Sequence, residues 1–172
     1  MIIGTDRLTG QLGNIAELDL EKGIRQAALL VQEAAKLNAG GYRRSTGELR
    51  SRIATSVETD GDMVRGEVSS NAPHAAFIEF GTGPRGFMEH SGISPDVQVS
   101  YTMEPWWIHE GPGENEIGRE EAEFYGFHYI DTPNGRFYRC SGQPAKPYLY
   151  PALKDNEEAI LRIMQKCVKE QL

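Results

Sequence analysis

Cysteine and histidine are scarce in this chain of 172 residues, which contains two cysteines and four histidines. Cys140 and Cys167 lie too far apart in the sequence to form a pair of metal ligands, and a core of this size does not require a disulfide. The histidines occur in none of the spacings that mark zinc sites. We therefore expect neither a metal nor another cofactor.

Basic residues are outnumbered, with 18 lysines and arginines against 25 aspartates and glutamates and a net charge of −7. Binding to nucleic acid needs clustered positive charge, so an acidic chain is a poor candidate for it. The densest basic cluster is interpreted as solvent-exposed loop and strand-edge charge; its members are Arg43, Arg44, Arg50 and Arg52. We expect no specific binding to nucleic acid.

Long apolar runs are missing as well. No segment approaches the roughly 20 apolar residues of a membrane-spanning helix. The first residues, Met1 to Asp6, break with glycine and charge and do not read as a signal peptide. We expect a protein that folds in a cytoplasm and does not bind a membrane.

What the sequence does contain is two amphipathic helical patterns and two hairpin patterns. Apolar residues at three- and four-residue intervals predict helices over about 19–38, with Asp19 as N-cap, and over 152–172. Alternating residues around Asp60-Gly61 predict a hairpin from about Arg52 to Ser69. A second hairpin is predicted from strands near 125–130 and 136–139.

These elements predict an α+β fold in a single domain over residues 1–172. An antiparallel β-sheet packs against the two long helices, and a long insertion lies between about 84 and 140. A short helix is expected over 75–80, with Phe77 and Phe80 on its packed face and Glu79 away from it. It should end at Gly81-Thr82-Gly83-Pro84, after which the chain is expected to be irregular up to about Met103.

No catalytic arrangement emerges from the polar residues. The glycines of Gly81 to Gly86 have the count of a dinucleotide-binding loop, but the segment leaves a helix, and Pro84 lacks an amide hydrogen. Ser91, His90 and Asp96 are close in sequence, yet no nucleophile elbow surrounds the serine. We predict that the protein is not an enzyme.

Three short segments, taken together and in this order, resemble a known family. They are Ser45 to Arg50, Ala75 to Gly83, and Ala145 to Leu153. The family is a tail-component family of long-tailed bacteriophages, gene product ten of lambda-like siphophages and its relatives. The family-motif residues are Thr46, Gly47, Leu49, Arg50, Phe77, Glu79, Phe80, Gly81, Thr82, Pro147, Leu149, Pro151, Ala152 and Leu153.

This resemblance implies a structural virion assembly protein that acts at the neck or tail end as a tail-completion or head–tail joining component. It implies a ring of identical subunits, contacts with other neck and tail proteins, assembly in the host bacterial cytoplasm, and a final place in the virion. Aromatic residues are the candidate interface, because aromatics carry interface energy. They are Trp106, Trp107, Phe124, Tyr125, Phe127, Tyr129, Phe137 and Tyr138.

Other interpretations stay open at this point. The same aromatic residues would equally suit the cover of the protein's own sheet. The chain would also fit a cytoplasmic module that binds a protein partner through its aromatic hairpin. A third alternative is a hydrolase with its site in the insertion over residues 85–140.

Overall fold

A computed structural model of the chain describes residues 19–40, 47–61, 63–110, 117, 122–123 and 126–171. The chain divides into two compact units, one formed by Met1–Ala75 with Tyr148–Leu172 and the other by Ala76–Pro147. The single domain predicted over 1–172 stays a prediction, since compactness alone does not show whether the units fold separately.

The described elements are helices and antiparallel strands, so the predicted α+β class is confirmed. The strands form two separate sheets, of two and three strands, where the sequence predicted one. In chain order the elements are α1 Glu21–Ala39, α2 Glu48–Ser51, β1 Ile53–Asp60, β2 Met63–Ser70, α3 Ala75–Phe80, α4 Gly83–Met88, β3 Trp106–Glu110, β4 His128–Thr132, β5 Gly135–Cys140, α5 Leu149–Lys154 and α6 Glu157–Lys169.

Helix α1 is the centre of the first unit, because its small side chains let other elements approach closely. Its buried stripe is mostly alanine. A Cβ on Gly66 of β2 would come within 2.8 Å of Ile24, and one on Gly23 within 3.0 Å of Cys167. Asp19 is wrong as the predicted N-cap, because the helix begins at Glu21 and its N-cap is Leu20. Asp19, one residue earlier, accepts a hydrogen bond from the Glu21 amide at 3.0 Å.

Strands β1 and β2 form the predicted hairpin and pair from Ile53↔Ser70 to Asp60↔Met63. Asp60 ends β1, so the turn begins at Gly61, one residue later than predicted. Gly61 has the positive φ of 56° that a tight hairpin turn requires. One face of the hairpin is half-buried and the other is exposed along its whole length, as the alternation predicts.

The sequence predicted one continuous helix over 152–172, but the structure has two separate helices there, α5 and α6. Asn156 donates its side-chain amide to the Ala152 carbonyl at 2.8 Å, which satisfies an end group of α5. The Asn156 carbonyl then accepts the Ile160 amide at 2.9 Å and opens α6. Before α5, the buried Tyr148 presents its carbonyl to the Asn38 side chain of the first unit at 3.2 Å.

In the second unit, α3 forms as predicted but exposes a different face. Glu79, expected to point away from the packing, is 5% exposed, whereas Phe77 is 56% exposed. The cause is the attachment of the helix to a later segment. Gln143 donates its side-chain amide to the Phe77 carbonyl, and the Lys146 amide donates to the Ile78 carbonyl, each at 2.8 Å.

The glycine segment after α3 also differs from its predicted form. A short helix, α4, begins at Gly83 with Pro84 in its first turn. The irregular stretch expected from Arg85 therefore begins only after Met88, and it has no regular element up to Pro105. Sequence reasoning took the glycine–proline pair as a stop, but proline is equally suited to the first turn of a new helix.

Thr82 and Gln143 form a short antiparallel bridge that closes this unit. The Thr82 amide donates to the Gln143 carbonyl at 2.9 Å, and the Gln143 amide donates to the Thr82 carbonyl at 3.1 Å. The Arg85 amide adds a third bond, to the Ser141 carbonyl at 3.1 Å. The amides of Gly81, Thr82, Arg85 and Gly86 are thus bonded to the chain itself and are not available to a phosphate.

Candidate interaction surface

The three-stranded sheet has the order β3-β5-β4, and its register assigns each side chain to one of two faces. Residues directly opposite each other lie on the same face, and successive residues alternate between faces. Trp106 lies opposite Cys140, whereas Trp107 lies opposite Arg139. The two adjacent tryptophans therefore belong to opposite faces.

The first face, here called the covered face, contains Trp106, Tyr129, Arg136, Tyr138 and Cys140. Tyr138 at its centre is 1% exposed, and its hydroxyl donates to Glu110 Oε2 at 3.0 Å. Trp106 lies over Gly83, where a Cβ would come within 2.8 Å of Trp106 Cζ3. On this face Tyr138 and Cys140 are buried, whereas Trp106 is 38% and Tyr129 48% exposed.

One end of the covered face carries an ordered charge pair. Arg136 donates to both carboxylate oxygens of Asp131, at 2.6 and 3.3 Å, and its guanidinium carbon lies 4.4 Å from the centre of the Tyr129 ring. The hydrogen bond from Arg136 holds the pKa of Asp131 below its usual 3.8, and the same bond raises the pKa of Arg136. A cleft of about 280 Å³ opens beside Tyr129, Arg136 and Tyr138.

The second face, here called the open face, is exposed or half-buried throughout. Trp107 is 49% exposed, and Ile130 is exposed to the same extent. Phe137 lies opposite both His109 and Ile130, and its ring centre is 4.7 Å from that of His109. The large side chains of the open face are Trp107 and His109 of β3, His128 and Ile130 of β4, and Phe137 and Arg139 of β5, and its remaining pair is Thr132 and Gly135.

The predicted interface residues are divided by this geometry. Trp107 and Phe137 lie on the open face, whereas Trp106, Tyr129 and Tyr138 lie on the covered face. Phe127 precedes β4 and lies beside Tyr138, with the ring centres 6.2 Å apart. Phe124 and Tyr125 lie outside the described residues. The interface role of these residues stays a prediction.

Sequence reasoning missed four of the large side chains of the open face, namely His109, His128, Ile130 and Arg139. Only the aromatic residues were considered, although the period-two alternation within a strand places His109 with Trp107 and Arg139 with Phe137. The pairing of Trp107 with Arg139 and of Phe137 with Ile130 depends on the register, which a sequence does not give directly.

His90, which was considered for a catalytic role, is held by contacts within its own unit. His90 Nδ1 donates to the Gly86 carbonyl, 3.1 Å away, and the His90 ring stacks on Tyr101. Burial raises the pKa of Tyr101, whose hydroxyl donates to the Phe80 carbonyl at 2.8 Å. Across the described ranges of the chain, histidine, cysteine and acidic residues form no group of three that could hold a metal ion.

The basic cluster of the sequence is only partly described. Arg43 and Arg44 lie outside the described residues, as does Thr46 of the family motif. Arg50 is exposed on α2, and Arg52 forms an ion pair with Glu48, with a nitrogen–oxygen distance of 3.0 Å. Within the part of the chain that the structure covers, no helix is both long enough and apolar enough to cross a membrane.

The described part of the chain is an α+β protein whose three-stranded sheet has one face with exposed apolar side chains. Residues 6–81, somewhat less than half of the chain, match the model of the family described as "Bacteriophage HK97-gp10, putative tail-component". The resemblance to a phage tail-component family is thereby confirmed over that part of the chain. Comparison with curated proteins and with solved structures found no match.

The match includes the first segment of the sequence motif and the second up to Gly81, where it stops. Thr82 and the later motif residues from Pro147 to Leu153 lie beyond it. The matched range contains α1, α2, the β1–β2 hairpin and α3. It does not contain the three-stranded sheet, so the open face is a feature of this chain outside the matched family segment.

Proposed function

We propose that the protein is a structural component of a phage tail that acts at the neck or tail end in tail completion or head–tail joining. The observation that carries this proposal is the family match over residues 6–81, whose description names a tail component and no enzyme. The protein would assemble in the host bacterial cytoplasm and remain in the virion, in contact with other tail or neck proteins.

A ring of identical subunits is the arrangement that suits this role. A ring requires a head-to-tail contact, in which one surface of a subunit meets a different surface of the next. The open face supports such a contact because exposed Trp107 and Ile130 lie on it with half-buried Phe137, and aromatic residues dominate interface energies. The same exposure would serve a module that binds a single protein partner, which is the second candidate function.

Deletion of the gene from the phage or prophage that encodes the chain tests the proposal. We expect electron microscopy of the lysate to show unjoined heads and tails, or tails with abnormal ends. Adding the purified protein should restore joined particles. Mass spectrometry of purified virions should find the chain in the tail fraction. Normal infectious particles that lack the chain would refute a structural role in the tail.

A further inference from the structure

The open face has a charge opposite to that of the chain as a whole. The chain carries a net charge of −7. The open face has no acidic member, and it contains Arg139 together with two histidines. Arg139 is exposed and lies opposite Trp107 and His128. Its surroundings on the sheet are therefore an apolar ring and an imidazole, neither of which neutralises a guanidinium.

The outer face of the β1–β2 hairpin has the complementary composition. It comprises Ala54, Ser56, Glu58 and Asp60 of β1 with Met63, Arg65, Glu67 and Ser69 of β2, and each of these residues is exposed.

Three of the eight side chains on this hairpin outer face are acidic and one is basic. Glu58 lies opposite Arg65, but Asp60 lies opposite Met63 and Glu67 opposite Ser56. Two carboxylates thus have no cationic neighbour directly across the strand pair, and Met63 is 70% exposed beside one of them.

We propose that the open face of one subunit binds the hairpin outer face of a second copy of this chain. Arg139 then meets the carboxylate of Glu67, while Trp107 and Ile130 receive Met63. The two surfaces differ, so the contact is head-to-tail and leaves each subunit with one free surface of either kind. Such a contact closes into a ring or continues as a filament.

The size of the surfaces sets the strength of one contact. Five-residue strands are about 17 Å long, and three strands span roughly 10–14 Å, which gives a footprint on the order of 200 Å². A stable isolated interface buries about 800 Å² on each partner. A single contact is therefore weak. Closing a ring, or attaching the subunits to a tail end, raises the effective concentration that makes it persist.

This inference rests on the proposed tail function and is tested by photo-cross-linking of the full chain. A benzoylphenylalanine replaces Ile130, and an equal mixture of isotopically light and heavy protein is irradiated at the highest soluble concentration. Mass spectrometry then identifies the linked peptides and separates links between copies from links within one. The same probe in place of Met88, which is 70% exposed outside the open face, is the matched control.

The expected product is a mixed-isotope link from position 130 to residues 53–70, absent from the Met88 control. Arg139→Glu or Glu67→Arg alone should lower its yield about tenfold, the effect of one like-charge pair worth roughly 1.4 kcal/mol. The double variant should recover it. Arg162→Glu, an exposed change on α6, should leave the yield unaltered.

Every other result overturns the inference. Links from position 130 to a different peptide of the second copy would refute the hairpin as occupant, and a chain that gives no link between copies would refute self-association through this face. A link that appears only when another tail protein is added would assign the open face to that protein. If virions contain the chain and need it, but the hairpin link is missing, only this inference fails. If particles form normally without the chain, the proposed function fails as well.

Discussion

Replacing Gly142 by alanine should destabilise the second unit far more than the same replacement at Gly92. Both glycines have φ of +82°, so both substitutions carry the same backbone penalty. They differ in what the new methyl group meets. At Gly142 it would overlap the carbonyl oxygen of Thr82, whereas at Gly92 the nearest atom is Pro147 Cγ at 3.7 Å.

The expected loss follows from these contacts. A left-handed alanine costs about 1–2 kcal/mol, and this is the whole cost at Gly92. At Gly142 the overlap is with backbone, which cannot rotate away, so the Thr82–Gln143 bridge must separate. The bridge and the adjacent Arg85–Ser141 bond comprise three backbone hydrogen bonds, each worth about 1 kcal/mol net. The total at Gly142 is therefore about 4–5 kcal/mol, roughly 3 more than at Gly92.

Urea unfolding followed by tryptophan fluorescence measures the difference, because both tryptophans of the chain lie in β3 of this unit. The slope of the unfolding free energy against urea should stay unchanged if only stability is affected. If the two substitutions lower the unfolding free energy by amounts that agree within about 0.5 kcal/mol, the reasoning is refuted, because the contact with Thr82 would then add nothing to the backbone cost.

Three further outcomes are expected. Trp106→Ala should lower the unfolding free energy by about 2 kcal/mol, and Trp107→Ala by less than about 1 kcal/mol, because the Trp106 ring lies against Gly83 and is 38% exposed, whereas Trp107 is 49% exposed on the open face; equal losses would contradict the assignment of faces. The Asp131 carboxyl should titrate below 3.8 by NMR and return to that value in Arg136→Met. Because the folded-state pKa is lowered, the stability that the pair contributes is present above the unfolded pKa and is lost as the pH falls through the folded one. Leu49→Ala should cost about 2–4 kcal/mol in urea unfolding, since Leu49 is 2% exposed, and a loss under about 1 kcal/mol would show that the position can collapse.

Much of the fold could be predicted because its signals are local. The spacing of alanines in α1 and the alternation around Gly61 each specify one element and the face that it buries. The division of the last helix was missed because Asn156 is compatible with a helix by propensity. Its side-chain bond to the Ala152 carbonyl, which ends α5, depends on the local geometry.

The candidate surface was predicted only in part because it depends on contacts between distant residues. Aromatic content singled out Trp107 and Phe137, but the same criterion selected Tyr138, which is buried. The distinction comes from the register of β5 between its two neighbours. Similarly, Glu79 was expected to face water because charged residues usually do, while the hydrogen bonds from residues 143 and 146 turn α3 the other way.

The bridge between Thr82 and Gln143 has a mechanical consequence. These residues are 61 positions apart, yet they lie side by side, next to the bond between the Ile78 carbonyl and the Lys146 amide. The segment between these bonds contains α4 and all three strands of the sheet. Force applied to the two ends of this segment would therefore break the hydrogen bonds one after another, first between residues 78 and 146 and then between 82 and 143, before it reached β3, β4 or β5. Until the last of them breaks, the open face keeps its geometry while the chain on either side is under force.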